Sequence, residues 1–101
     1  MGDFVKVAGK RDIPAEGGKV CEVGDKSLAV FQAEGKFYCI NNICKHRGGP
    51  LGEGPVDGTT VVCPWHGWVY DLTTGESITH PGAVQEKYNV KVEGNDILVE
   101  I

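Results

Sequence analysis

Two cysteines and two histidines alternate within one glycine-rich segment, and their types and spacing are those of a metal site. One residue separates Cys44 from His46, sixteen residues follow, and two residues separate Cys63 from His66. Thiolate sulfur and imidazole nitrogen are ligands that zinc and iron accept in proteins. Each pair is too close in sequence for independent core packing, so we expect the two pairs to converge on one centre.

Two metal centres fit this ligand set. Two cysteines and two histidines can hold one zinc ion tetrahedrally, although the first pair is closer than the roughly two to four intervening residues typical of zinc sites. The same set can hold a 2Fe–2S cluster, with two thiolates on one iron and two imidazoles on the other. In the second case the two segments must enclose a two-metal group, because one residue from each pair goes to each iron.

The residues around these pairs resemble those of the Rieske-type iron–sulfur proteins. The run "HRGGPL" lies after the first cysteine, and "CPWHGWVYD" contains the second pair. The resemblance implies that Cys44 and Cys63 bind one iron of a 2Fe–2S cluster and that His46 and His66 bind the other. Zinc, or no metal, remains as the alternative.

Histidine ligation raises the reduction potential of such a cluster for an electrostatic reason. Two ferric ions, two sulfides, two thiolates and two neutral imidazoles sum to zero charge, whereas four thiolates leave two negative charges. The Rieske range starts near about −150 mV, against about −400 mV for all-cysteine plant-type clusters. This difference corresponds to about 6 kcal/mol for one electron.

Three positions distinguish this chain from the high-potential respiratory Rieske proteins that it resembles. Those proteins carry an extra cysteine in each ligand loop, joined as a disulfide, and a serine that donates to a cluster sulfide. The matching positions here are Gly49, Trp65 and Trp68, while Tyr70 keeps the position of a second hydroxyl donor. Fewer hydrogen bonds to sulfur leave reduction less assisted. The resemblance therefore implies a potential near the low end of the Rieske range.

Glycines and tryptophans in the same segment have a functional and a structural interpretation. Four glycines could let the main chain approach the cluster or could only shape turns: Gly48, Gly49, Gly52 and Gly67. Trp65 and Trp68 could shield the cluster or belong to a docking face, and core packing explains Trp68 equally well.

The remaining cysteines and histidine are interpreted as structural. Cys21 and Cys39 fall in predicted strands with apolar neighbours, so we expect buried thiols. His80 lies in "THPGA", where Pro81 suits the third loop that covers the cluster in many Rieske proteins. We interpret His80 itself as a surface loop residue.

The rest of the chain predicts an all-β fold. Fifteen glycines and five prolines punctuate short apolar runs, a pattern typical of β-domains. We expect one domain, residues 1–101, built as a small Rieske-type β-sandwich or barrel-like domain with a cluster-binding subdomain of two loops at about 42–70. Turns are predicted at 33–37, 73–76 and 93–96. The predicted strands are Phe4–Ala8, Lys19–Val23, Leu28–Ala33, Lys36–Asn41, Thr59–Cys63, Trp68–Asp71, Lys87–Val92 and Ile97–Ile101.

Composition excludes several classes of function. A net charge of −4 and a pI near 5.2 leave no basic face for nucleic acid. No apolar run approaches the roughly 20 residues that cross a bilayer, and the first residues lack the apolar region of a signal peptide. We therefore predict a cytoplasmic protein with reduced thiols.

The function implied by the resemblance is that of a soluble Rieske-type ferredoxin. Such a protein is not an enzyme, binds no organic substrate, and passes one electron from a flavoprotein reductase to a terminal oxygenase, often an aromatic-ring dioxygenase. The oxygenases themselves need a second domain with a mononuclear iron, and no residues remain here to build one. Two alternatives stay open: the small subunit of an assimilatory NAD(P)H nitrite reductase, which would serve that enzyme's large subunit, and a zinc- or cluster-stabilised interaction module without redox turnover.

Overall fold

The computed structural model describes residues 3–44, 48–65 and 67–101, and strands dominate this part of the chain. Two 3-10 helices, Lys10–Asp12 and Leu51–Glu53, lie between strands. The predicted all-β class is confirmed. The strands are β1 Phe4–Gly9, β2 Gly17–Val23, β3 Lys26–Ala33, β4 Lys36–Asn41, β5 Val56–Asp57, β6 Thr60–Val62, β7 Val69–Asp71, β8 Lys87–Tyr88, β9 Val90–Glu93 and β10 Asp96–Glu100.

The described strands form three antiparallel sheets. Strands β2, β3, β4 and β8 make the largest sheet, β1, β10 and β9 make the second, and β5, β6 and β7 make the third. The predicted turns at 33–37 and 93–96 join β3 to β4 and β9 to β10 as expected. The turn predicted at 73–76 is also present, closed by a hydrogen bond from Gly75 N–H to the carbonyl of Asp71.

One predicted strand is wrong in its extent. The run 87–92 reads as a single strand, but the chain changes sheets at Asn89: β8 pairs with β4, and β9 pairs with β10. At this crossing point, the exposed Asn89 donates its side-chain N–H to the carboxylate of Glu100. The regular apolar spacing of this run does not reveal which sheet each half joins.

Strand β3 divides the core into two clusters because it is buried on both faces. Ala29, Phe31 and Ala33 face one cluster, which also contains the residues beside the ligand loops. Leu28 and Val30 face the other cluster, formed with the β1–β10–β9 sheet. This alternation is the two-residue period of a strand. Cys44, Leu51 and Cys63 of the glycine-rich segment belong to the first cluster.

Within the described ranges, no helix is long and apolar enough to cross a bilayer.

Candidate functional site

The first ligand loop runs from Cys44 to Gly49 and is closed by backbone hydrogen bonds. The N–H of Cys44 donates to the carbonyl of Gly49 at 3.0 Å, and the N–H of Gly48 donates to the carbonyl of Cys44 at 2.9 Å. Gly48 has a φ of 77°, a conformation that L-residues with a side chain rarely adopt. A bridge between Ile43 and Pro50 continues the pairing outside the loop.

The second ligand loop, Cys63 to Trp68, has the same hydrogen-bond frame. The N–H of Cys63 donates to the carbonyl of Trp68 at 2.7 Å, and the N–H of Gly67 donates to the carbonyl of Cys63 at 3.0 Å. Gly67 has a φ of 76°, so it takes the place that Gly48 takes in the first loop. The loop connects β6 to β7. Both glycines are therefore required by turn geometry.

The two cysteines predicted as ligands lie in one buried cluster. Cys44 and Cys63 are 2% and 3% exposed and both belong to the core cluster that contains Leu51 and Tyr70. The loops also contact each other. A Cβ built on Gly49 would lie 2.8 Å from the sulfur of Cys63 and 3.2 Å from the ring of Trp65. Glycine at position 49 thus lets the first loop pass close to the second cysteine.

Tyr70 lies beside the thiol of Cys44, at the position where the resemblance predicts a hydroxyl donor. Its side chain is fully buried, and its hydroxyl oxygen lies 3.4 Å from the sulfur of Cys44. Either group can donate while both are neutral. A thiolate can only accept, so Tyr70 would donate to Cys44 once that cysteine binds a metal.

The two tryptophans occupy different surroundings. Trp65 is exposed, and its ring lies close to Gly49. By the resemblance, these two positions match the extra cysteines that form a disulfide in the respiratory Rieske proteins. Trp68 is partly buried against the same core cluster as the thiols. Its outer face stacks on His80 with ring centroids 3.6 Å apart and planes 11° from parallel.

His80 belongs to a third loop that is attached to the second ligand loop. It is a surface residue, as predicted, and its stacking on Trp68 places it at the edge of the site. Two hydroxyls hold this loop: Ser77 donates to the carbonyl of Val69, and Thr79 accepts from the N–H of Val69. Thr79 also lies 2.9 Å from Nδ1 of His80.

Cys21 and Cys39 lie away from the ligand loops, in the other core cluster. Both are buried thiols, as the sequence predicts. Burial raises the pKa of Cys39 to about 12, with a smaller contribution from Cys21. Burial also raises the pKa of Cys21. Gly52 likewise has a structural role, because a Cβ there would collide with Val20.

The two histidines predicted as ligands, His46 and His66, lie outside the described residues. Within 3–44, 48–65 and 67–101, no group of three or more His, Cys, Asp or Glu side chains is arranged to hold a metal ion. Of the four predicted ligands, the described residues therefore contain only the cysteine pair.

Two buried amides beside the first loop have no signal in the sequence. Asn42 accepts from the N–H of Gly52 at 2.7 Å and donates to the hydroxyl of Ser27 at 3.1 Å. Gln85 donates to the carbonyls of Asn41 and Ile43. A lone Asn or Gln next to a strand is usually exposed. The sequence therefore gives no sign that these two amides are buried.

Comparison with known proteins shows what this chain is similar to. Residues 3–99 match the model of the Rieske [2Fe-2S] domain family. The ferredoxin component of the naphthalene 1,2-dioxygenase system of Pseudomonas aeruginosa is 31% identical over 80 residues, which are 78% of this chain and 77% of the relative.

Two solved structures are similar to the whole fold. The structure of the complex of reduced oxygenase and oxidized ferredoxin in carbazole 1,9a-dioxygenase contains a chain with 28% identity and a TM-score of 0.85, over 96% of this chain and 92% of that one. A putative NADPH nitrite reductase small subunit has 16% identity and a TM-score of 0.84, over 96% and 97%. At that identity the second likeness shows the fold alone.

Proposed function

Because the chain belongs to the Rieske [2Fe-2S] domain family, and that domain implies a 2Fe–2S cluster, we propose that this protein is a one-electron carrier of the ferredoxin type. Cys44 and Cys63 would bind one iron, and His46 and His66 would bind the other. The observation that carries the proposal is the matched pair of loops, which brings the two thiols into one buried cluster.

The described residues fit this group in three respects. The two thiols are buried and adjoin a glycine that leaves room beside the sulfur of Cys63. Tyr70 offers a hydroxyl to the sulfur of Cys44. Both loops are closed by their own backbone hydrogen bonds, so they hold the cysteines without help from a disulfide. When bound, the cluster accepts and releases a single electron.

The residue types around the site favour a potential at the low end of the Rieske range. Gly49, Trp65 and Trp68 stand at the positions where the resemblance places the extra cysteines and the serine of the high-potential proteins, and none of the three carries a hydroxyl or a thiol. Tyr70 does carry a hydroxyl, and it lies 3.4 Å from the sulfur of Cys44.

We further propose that electrons come from a flavoprotein reductase and go to a terminal oxygenase. The names of the relatives support this, since they include ferredoxin components of dioxygenase systems and a ferredoxin seen in complex with an oxygenase. Exposed apolar side chains in or beside the three loops suit a docking face for such a partner. They are Ile43, Trp65, Ile78 and Val84. The cytoplasmic location predicted from the sequence stays a prediction.

The carrier proposal is tested by metal analysis combined with a redox titration. Purified protein should contain about two irons and two sulfides per chain and take up about one electron, which reoxidation by cytochrome c should return. One zinc and no sulfide would instead establish the interaction module that the sequence leaves open.

The partner proposal needs a separate observation. Genes for an oxygenase and a flavoprotein reductase beside the gene for this chain would support it. A neighbouring gene for a nitrite reductase large subunit would overturn it in favour of the nitrite reductase system.

A further inference from the structure

The side chain of Gln85 is a buried polar group directly beside the first ligand loop. It is 1% exposed, and its Nε2 donates to the carbonyl of Asn41 at 2.9 Å and to the carbonyl of Ile43 at 2.8 Å. A primary amide has two N–H donors, and here they meet two carbonyls that are two residues apart. The second of these carbonyls belongs to the residue before Cys44.

These two hydrogen bonds lie on the edge of β4, beyond the point where its backbone pairing with β8 ends. Strand β8 pairs with β4 only through Lys87 and Tyr88, and the N–H of Asn41 still finds the carbonyl of Glu86. Beyond this point the side-chain amide of Gln85 supplies the N–H donors. It can reach both carbonyls because carbonyls two residues apart lie on the same edge of a strand. The amide therefore extends the pairing of β4 as far as the residue that precedes Cys44.

The backbone of Gln85 is itself held in place. Its N–H donates to the carbonyl of Gly75 at 2.7 Å. Gly75 has a φ of 82°, and a Cβ there would collide with the carbonyl of Gln85. The tight turn after β7 thus anchors Gln85, so its amide presents a fixed rather than a mobile pair of donors.

An open cavity of about 540 Å³ reaches Cys44 on the same side. Its lining consists of Asn41, Ile43, Cys44, Val84, Gln85 and Glu86. Across this lining, the Gln85 side chain donates to the carbonyls of Asn41 and Ile43, and the carbonyl of Glu86 accepts from the N–H of Asn41. Loosening it would free the chain before Cys44 and widen the approach of water to that thiol.

We propose that Gln85 is a positioning residue for the first ligand loop, and that by fixing the chain before Cys44 it controls how firmly the metal group is retained. This inference rests on the proposed ligand set. Gln85 acts through Asn41 and Ile43, so its effect is on retention of the cluster and on its potential rather than on the fold as a whole.

The test compares Gln85→Leu and Gln85→Glu with wild type and with Val99→Ala. Leucine removes both donors, and glutamate keeps the shape while turning a carboxylate towards two carbonyls. Val99 is fully buried in the other core cluster, so its truncation lowers stability without touching the loop. The measurements are the rate of cluster loss to excess EDTA, followed by visible absorbance, the reduction potential, and the Tm of each apoprotein.

Gln85→Leu should lose the cluster about tenfold faster than wild type, because the two part-buried carbonyls of Asn41 and Ile43 lose their donor. Gln85→Glu should lose it at least as fast, and the potential of both variants should shift. Val99→Ala should lower the Tm of the apoprotein by at least as much as Gln85→Leu does. Its rate of cluster loss should nevertheless stay within about twofold of wild type. The proposal is overturned if Gln85→Glu retains the cluster as wild type does. It is also overturned if Val99→Ala loses the cluster as fast as Gln85→Leu when both variants lower Tm equally.

A Gln85 variant that purifies without cluster still decides the question. If its apoprotein keeps the circular dichroism of wild-type apoprotein and a Tm no lower than that of the Val99→Ala apoprotein, the loss is local and the proposal stands. If that apoprotein is unfolded, Gln85 is a residue of the fold and the proposal fails. A wild-type protein without cluster would instead refute the proposed function on which this inference rests.

Discussion

All four cysteines are buried, yet the two pairs lie in different surroundings. Cys44 and Cys63 begin two loops with the same hydrogen-bond frame, next to a tyrosine hydroxyl and a glycine that leaves space at one sulfur. Cys21 and Cys39 lie within strands, among the apolar side chains of the other core cluster. Burial alone therefore does not distinguish the two pairs.

The chemical state of the strand pair follows from its surroundings. Burial raises the pKa of both thiols, to about 12 for Cys39, which favours the neutral form that packs as a small apolar group. In the loop pair, the sulfur of Cys44 lies 3.4 Å from the hydroxyl of Tyr70. The two pairs therefore differ in loop geometry and in the groups beside their sulfurs rather than in depth.

The largest expected effect separates the two pairs directly. Cys44→Ala or Cys63→Ala should abolish cluster binding, because each removes a thiolate that no nearby group replaces. Cys21→Ala and Cys39→Ala are the matched controls and should keep the cluster, at a stability cost of about 1–2 kcal/mol. Iron and sulfide analysis checks the outcome. Full cluster content in Cys44→Ala would contradict the proposal that the Cys44 thiol is a cluster ligand.

A second prediction concerns the space at Gly49. Gly49→Ala should leave the apoprotein folded but reduce cluster content by more than half, since the new Cβ would press on the sulfur of Cys63. Gly58→Ala is the control: its φ of 61° strains any side chain by about 1 kcal/mol, and no atom lies nearby. It should lower Tm and keep the cluster. The same behaviour in both variants would contradict a specific role for Gly49.

The raised pKa of Cys39 predicts a loss of stability at alkaline pH. The folded thiol has a pKa of about 12 against 9.0 for the ordinary group, so the unfolded chain releases its proton first. The stabilisation is complete below pH 9 and falls as pH rises towards 12, by a few kcal/mol at most. Cys39→Val should show a smaller fall in denaturant titrations from pH 8 to 11. An unchanged slope with pH would contradict this.

The smallest expected effect concerns the Tyr70 hydroxyl. Tyr70→Phe should lower the reduction potential by about 40 mV, the equivalent of about 1 kcal/mol, because the hydrogen bond to the Cys44 sulfur is lost. Tyr88→Phe removes a hydroxyl that donates to Glu86 instead and should leave the potential unchanged. Equal potentials for Tyr70→Phe and wild type would exclude a donor role for Tyr70.

Local patterns predict part of this molecule well. Residues close in sequence predict the turns at 33–37 and 93–96 and the burial of Cys39. The Cys/His spacing also predicts that Cys44 and Cys63 come together. Tyr70 could be predicted only from the resemblance to a family, because nothing in its own neighbourhood points to a thiol 26 residues away.

Contacts between distant segments could not be predicted. Gln85 bonds to Asn41 across 44 residues, and the stacking of His80 on Trp68 depends on how a third loop folds back. The change of sheet at Asn89 has the same origin, since each half of that run pairs with a different distant strand. Such features are decided by tertiary packing, which local apolar spacing does not encode.

The ligand set is tested most directly by pulsed EPR of reduced protein labelled with ¹⁵N only in histidine. The account predicts hyperfine couplings to two ¹⁵N nuclei, one from His46 and one from His66, with one coupling lost in any cluster-bearing His46→Cys variant. The potential of that variant should also fall, because a thiolate adds negative charge. A reduced cluster without ¹⁵N couplings would contradict histidine ligation.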